Sequence, residues 1–230
     1  MNQGQTQHQS PYHAVFFDLD GTLADTAPDL VAATNQLLSA RNLPLRPYEQ
    51  LRPCASAGAR GLIAAAFGID TKHPDFIALR DEFFINYEKA LFVHSKLFEG
   101  MEHLLNQLDG AKLPWGIVTN KSERFTNPLI ELMGLSQRTV STVSGDTTPH
   151  SKPHPEPILH AARIAKIDPG KSIYVGDDIR DILAGKAAGM KTVAAAYGYC
   201  GCEQPPEAWG ADFIIQTPQE LLQIIFPSRA

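Results

Sequence analysis

Two aspartates two positions apart, Asp18 and Asp20, close the apolar run Ala14-Val15-Phe16-Phe17 and are followed at once by Gly21. Side chains alternate along a strand, so both carboxylates can point to one side of its carboxyl end, where open α/β sheets keep their ligand crevices. Two converging carboxylates repel unless a cation lies between them, and an all-oxygen site favours a hard ion such as Mg2+. Three further stretches offer complementary chemistry. The strand-like Ile117-Val118 ends in Thr119-Asn120-Lys121, whose hydroxyl and nearby N–H groups suit the peripheral oxygens of a phosphoryl group. Lys152 stands at the Pro-rich entry Ser151-Lys152-Pro153-His154-Pro155-Glu156-Pro157 to a helix running to Ala165, a context that fixes the backbone under the lysine. Last, Ile173-Tyr174-Val175 leads into Gly176-Asp177-Asp178-Ile179-Arg180-Asp181. There Gly176 would let the backbone approach a ligand, and Asp177 would supply a third metal-binding carboxylate. Asp178 and Asp181 would orient water ligands or Lys152, or cap the helix that follows.

Taken singly, each stretch also has a plainer reading: a strand end with a turn, a solvated lysine, a capped helix. The elements that must position them decide the matter. Besides Ala14 to Phe17, the strand candidates are Trp115–Thr119, Thr139–Ser144, Ser172–Val175, Thr192–Ala196 and Phe213–Ile215, separated by segments of helical length. Right-handed crossovers make this a Rossmann-like, doubly wound parallel α/β sheet. From Asp25 to Phe92 the periodicity is helical instead. Asp25 and Thr26 are expected to cap a first helix with Pro28 in its first turn, and further helices are expected at Tyr48–Leu51, Ala59–Phe67 and Pro74–Leu91. The expected organisation is a disordered tail over 1–12, an α/β core over 13–24 and 93–230, and an all-helical cap domain over 25–92. Leu97 to Met101 serves as the return hinge.

The chain has 230 residues and a net charge of −5, with no Lys/Arg tract, which argues against nucleic-acid or membrane binding driven by charge. No apolar run approaches the roughly 18–20 residues that span a bilayer, and the Gln-rich N-terminus lacks signal-peptide character, so a cytoplasmic protein is expected. Cys54, Cys200 and Cys202 cannot all pair and lack zinc-site spacing, which predicts reduced thiols. His150, His154 and His160 form no metal triad by spacing.

The run Asp18-Leu19-Asp20-Gly21-Thr22-Leu23, with the three later stretches in order and each at a strand end, resembles the four signatures of the haloacid dehalogenase superfamily of aspartyl-phosphate hydrolases. The resemblance covers the chain from Ala14 onward. It implies that Asp18 attacks the phosphorus of a monoester and that Mg2+ is held by the Asp18 carboxylate, the Asp20 main-chain carbonyl and the Asp177 carboxylate. Asp20 would protonate the leaving alkoxide and then activate water, while Lys152 offsets charge and Thr119, Thr22 and Asn120 bind the phosphoryl group or substrate. The second aspartate disfavours the dehalogenation that names the family.

A helical insert directly after the first strand resembles the small cap of the branch that includes phosphoglycolate phosphatases and β-phosphoglucomutase. Ser56-Ala57-Gly58-Ala59-Arg60-Gly61 resembles its substrate-facing loop, where Arg60 either grips a substrate carboxylate or is a solvated helix residue. Val93 to Met101 and Trp115 to Lys121 look like proteobacterial phosphoglycolate phosphatases, some of which act on N-acetylmuramic acid 6-phosphate. The expected partner is a small phosphate ester, with 2-phosphoglycolate first, N-acetylmuramic acid 6-phosphate second, and the chain a monomer or homodimer. Two other readings share parts of the constellation: a phosphotransferase of the β-phosphoglucomutase type, and a receiver-like signalling phosphoacceptor.

Overall fold

The structure, a computed structural model, describes residues 10–201 and 204–227. Most of the expected tail, and Cys202, lie outside them. Tyr12, assigned to that tail, instead packs against the core, and the His13 amide donates to the Lys171 carbonyl at 2.7 Å.

Six strands form one parallel sheet: β1 (Ala14–Phe17), β4 (Trp115–Val118), β5 (Thr142–Val143), β6 (Ser172–Gly176), β7 (Lys191–Ala195) and β8 (Phe213–Ile215), in the order β5-β4-β1-β6-β7-β8. The doubly wound sheet expected from the sequence is the fold observed. In β1 the period of two divides the core, because Val15 and Phe17 join one buried layer while Ala14 and Phe16 join the other. The first layer takes residues from α5 (Met101–Gly110), α6 (Glu123–Leu132) and α9 (Leu221–Ile225), and the second takes residues from α7 (Glu156–Ala165) and α8 (Ile179–Ala187). Both faces are covered, which is why all four residues of β1 are fully buried and apolar. The strand expected at Thr139–Ser144 is reduced to two residues at the sheet edge, next to β4.

Four α-helices lie between residues 25 and 96: α1 (Ala27–Ser39), α2 (Tyr48–Leu51), α3 (Gly58–Phe67) and α4 (Phe76–Lys89), with a 3-10 segment at Arg52–Ala57. Leu30, Leu37, Leu51, Leu62, Phe76 and Phe83 of this group are buried, and their cluster is continuous with the first core layer. Where the chain leaves and re-enters the sheet layer, β2 (Ala24–Asp25) pairs antiparallel with β3 (Lys96–Leu97), a ribbon too short to show a period-two pattern. Asp29, buried in the first turn of α1, accepts from the amides of Val93, His94 and Ser95 and from the Ser95 hydroxyl, and so ties the return segment to the outgoing helix.

The expected cap of α1 does not form through Asp25 or Thr26. Thr26 Oγ1 donates to Asp20 instead, and the Thr26 and Ala27 amides donate to the Tyr199 hydroxyl at 2.7 and 2.8 Å. That hydroxyl in turn donates to Asp25 Oδ1 at 3.1 Å. A distant phenol thus does the work of a local cap.

Candidate functional site

The centre is built at the carboxyl ends of β1, β4 and β6, neighbours in the sheet. Asp18 follows β1 directly, and its Oδ1 accepts from the Leu19 amide at 2.7 Å and from Lys152 Nζ at 2.9 Å. Lys152 reaches it from the loop before α7. Its ammonium also meets Asp181 Oδ1 at 2.7 Å, the Val118 carbonyl at 2.8 Å and the Tyr174 hydroxyl at 3.0 Å. Burial alone would drive this ammonium toward its neutral form, but Asp18 and Asp181 outweigh burial and hold its pKa well above the ordinary value. Asn120 fixes the lysine's backbone: its Nδ2 donates to the Lys152 carbonyl at 2.9 Å and its Oδ1 accepts from the Lys152 amide at 3.0 Å.

Asp177 follows β6 and is fully buried. Thr22 Oγ1 donates to its Oδ1 at 3.1 Å, while the Tyr199 amide at 2.9 Å and Ser56 Oγ at 3.2 Å donate to its Oδ2. Gly21 has φ of +84°, and a Cβ there would collide with Asp177 Oδ2, so the turn after Asp20 comes this close to Asp177 only without a side chain. Asp18, Asp177 and Asp181 each bring one carboxylate oxygen within 4.8 Å of the others. Burial, then repulsion from Asp18 and Asp181, pushes the Asp177 pKa well up. Burial likewise pushes Asp181 up to about 7 against the pull of Lys152. An all-oxygen cluster carrying this much buried negative charge fits a hard divalent cation.

The structure revises several expected roles. The Asp20 carboxylate does not converge with Asp18 on a shared cation: it pairs with Lys121 Nζ at 3.1 Å and accepts from Thr26. Burial works against the Lys121 ammonium, yet the charge of Asp20 and the nearby Tyr87 keep its pKa raised. Thr22, expected to bind substrate, is fully buried and supports Asp177. Asn120, also expected to bind substrate, has its amide engaged on both sides by the Lys152 backbone, though it still lines the cleft. The space over Gly176 is taken by the Asp181 side chain and not by a ligand approach, since a Cβ on that glycine would run into the Asp181 Cβ and carboxylate. Asp178 and Asp181, by contrast, stand as expected: they form the two halves of a capping box on α8, Asp181 meets Lys152, and Asp178 also makes a bidentate pair with Arg180 at 2.7 and 2.8 Å. Thr119 is buried and accepts from the Lys121 amide through Oγ1, which leaves its own proton to donate.

A cleft of about 610 Å³ opens between these strand ends and the helical insert. Asp18, Asp20, Thr119, Lys121 and Lys152 line it from the sheet side, and Leu30, Phe76, Phe83, Phe84 and Tyr87 from the helices. Arg60 lines it too, as an exposed residue. Lys121, Tyr174, Ser56 and Arg180 stand within the stretches singled out from the sequence but were given no role of their own there. Tyr174 alternates with Ile173 and Val175 and so had to face the other layer, but nothing local shows that its hydroxyl meets Lys152. Ser56 and Arg180 meet only across the cleft, where Arg180 donates to the Ser56 carbonyl at 2.8 Å.

Fold and site define a doubly wound α/β protein with an acidic centre at its strand ends and a helical cover. The chain belongs to the haloacid dehalogenase-like hydrolase family, whose profile matches residues 15–195. It is 44% identical over 212 residues to an N-acetylmuramic acid 6-phosphate phosphatase of Pseudomonas putida, covering 92% of this chain and 95% of the relative. It is also 44% identical over 209 residues to a phosphoglycolate phosphatase of Xanthomonas campestris, covering 90% and 94%. The crystal structure of a predicted phosphoglycolate phosphatase from Haemophilus somnus superposes with a TM-score of 0.82 at 27% identity, covering 96% of this chain and 99% of that one. The enzyme is a phosphatase of this family, which sets aside the receiver-like reading. Among the described residues, no helix is long and apolar enough to cross a membrane.

Proposed function

We propose that this enzyme is a cytoplasmic, Mg2+-dependent phosphomonoesterase that works through an aspartyl phosphate on Asp18, and that its substrate is a carboxylated sugar phosphate such as N-acetylmuramic acid 6-phosphate. The observation that carries the substrate reading is the cleft. At about 610 Å³, with Leu30, Phe76, Phe83 and Phe84 on its wall, it has the size and lining of a site for a sugar-sized molecule, and a two-carbon acid would leave most of it to water. The name of the Pseudomonas putida relative agrees with it.

In this reading Asp18 attacks phosphorus while Lys152, held by Asp181 and the Val118 carbonyl, stays aimed at the charge that develops. Thr119 donates its hydroxyl proton to a phosphoryl oxygen. Asp20, which lines the same cleft, gives a proton to the leaving alkoxide and later takes one from water. Asp18 and Asp177, with the Asp20 main-chain carbonyl, would hold Mg2+. When bound there, the ion offsets the negative charge shared by the attacking carboxylate and the phosphoryl group. The helical cover excludes bulk water.

The test is Mg2+-dependent phosphate release from N-acetylmuramic acid 6-phosphate, N-acetylglucosamine 6-phosphate and 2-phosphoglycolate. The expected order of kcat/KM puts the first ahead by tenfold or more, a gap of about 1.4 kcal/mol in transition-state binding. A tenfold preference for 2-phosphoglycolate would overturn the substrate reading in favour of the activity named for the Xanthomonas relative. Arg60 is our candidate for the carboxylate. Arg60→Ala should lower kcat/KM for the two carboxylated esters and spare N-acetylglucosamine 6-phosphate, and a uniform effect would leave Arg60 a solvated helix residue.

A further inference from the structure

Lys121 follows the Thr119-Asn120 turn, and its side chain is only 6% exposed. Its ammonium lies 3.1 and 3.3 Å from the two carboxylate oxygens of Asp20, and 4.6 Å from the centroid of the Tyr87 ring. Lys121 and Asp20 stand at the ends of sheet strands, whereas Tyr87 belongs to α4 of the helical insert. Three elements far apart in sequence therefore meet at one point on the cleft wall. Burying an ammonium is costly, and here the Asp20 carboxylate offsets that cost, so each partner of the pair holds the other in place. Among the described residues the buried Tyr87 hydroxyl has no hydrogen-bond partner of ordinary geometry, and the face of the Tyr87 ring lies against the ammonium. Thr26 Oγ1 donates to the Asp20 oxygen that Lys121 meets most closely. The carboxylate is thus clamped between a cation and a hydroxyl in a single orientation.

We propose that Lys121 is a positioning residue for proton transfer by Asp20, and that the Tyr87 ring makes its hold on Asp20 depend on α4 lying over the sheet. This rests on the reading of Asp20 as general acid and goes beyond it by saying what orients the acid.

The experiment compares kcat/KM for p-nitrophenyl phosphate, whose leaving group needs little protonation, with that for two alkyl esters, N-acetylmuramic acid 6-phosphate and 2-phosphoglycolate. The variants are Asp20→Asn, Lys121→Met, their double, and Tyr87→Leu. Asp20→Asn should lose about a hundredfold or more on the alkyl esters and far less on the aryl ester. Lys121→Met should show the same selectivity with a loss of about tenfold or more, and the double variant should be no slower than Asp20→Asn alone, since both act through one group. Should Lys121→Met fail to fold, Tyr87→Leu carries the test and should lose several-fold on alkyl esters only. An equal loss on both ester types for Lys121→Met or Tyr87→Leu, or losses that multiply in the double variant, would overturn the inference while leaving Asp20 as the acid. Equal losses on both ester types for Asp20→Asn would overturn the reading of Asp20, and the inference with it.

Discussion

Asp18 and Lys152 form a tightly held pair: a carboxylate at a strand end and an ammonium that meets two carboxylates, a carbonyl and a phenol. Asp18→Asn preserves shape and leaves Lys152 its contact with Asp181, so the fold should persist with a melting temperature near that of the wild type. Turnover should fall by roughly 10³-fold or more if Asp18 is the nucleophile. Stopped assays on the best substrate of the panel, run beside a thermal melt, read both outcomes. Retention of a tenth of wild-type kcat would point to water as the attacking group. At this scale the sequence was most informative for Asp18 and Lys152, because strand ends and a Pro-rich helix entry mark where such groups must stand. It was least informative for Thr22 and Asn120, whose partners lie 155 and 32 residues away.

At the scale of the element, α8 shows how one carboxylate serves two purposes. Asp178 caps the helix through the Arg180 amide and pairs with the Arg180 guanidinium. Burial would raise its pKa, but the hydrogen bond and charge of Arg180 outweigh burial and lower it below the ordinary 3.8. A depressed carboxylate pKa contributes stability that is present above the unfolded value, near 3.8, and is lost as pH falls through the lower folded value. Asp178→Asn keeps a capping oxygen and removes the charge. It should therefore cost about 1–3 kcal/mol at pH 7, and the gap from wild type should close as pH is taken below about 3.8. Urea melts of both proteins at several pH values measure it, and a gap that stays constant would deny the ion pair its role. The helices of the insert were legible from periodicity, their starts less so: Asp25 and Thr26 have the composition of caps, yet a tyrosine from beyond β7 takes the N-terminal amides of α1.

For the whole molecule, insert and sheet layer share one apolar cluster and a set of specific polar contacts. Arg180 reaches the Ser56 carbonyl, Arg52 reaches the Gly198 carbonyl at 3.0 Å, and Tyr199 holds the start of α1. Ser56 donates directly to Asp177, so the cover and the acidic centre share a hydrogen bond. Tyr199→Phe would leave the Thr26 and Ala27 amides without their acceptor and should cost roughly 1–3 kcal/mol in stability. Because α1 leads into the insert, it should also raise KM more than it lowers kcat, as covering of the cleft becomes less favourable. Chemical denaturation and steady-state kinetics on the same preparation test the pair of effects, and a stability loss with KM unchanged would confine Tyr199 to a structural part.

The sequence by itself determined the class of protein. Apolar strands ending in Asp18, Thr119 and Asp177 require a parallel sheet buried on both faces, and the helical period from Asp25 to Phe92 requires something other than that sheet. These follow from local spacing, because burial on two faces, turn chemistry and helix period are each written within a few residues. Only the tertiary structure decided which carboxylates cluster, that Asp20 turns to Lys121 while Asp181 joins Asp18 and Asp177, and that Tyr199 caps a helix 173 residues away. Such pairings depend on where side chains from different elements come to rest, and electrostatic partnership acts through space at a few ångströms, a distance that sequence separation does not record.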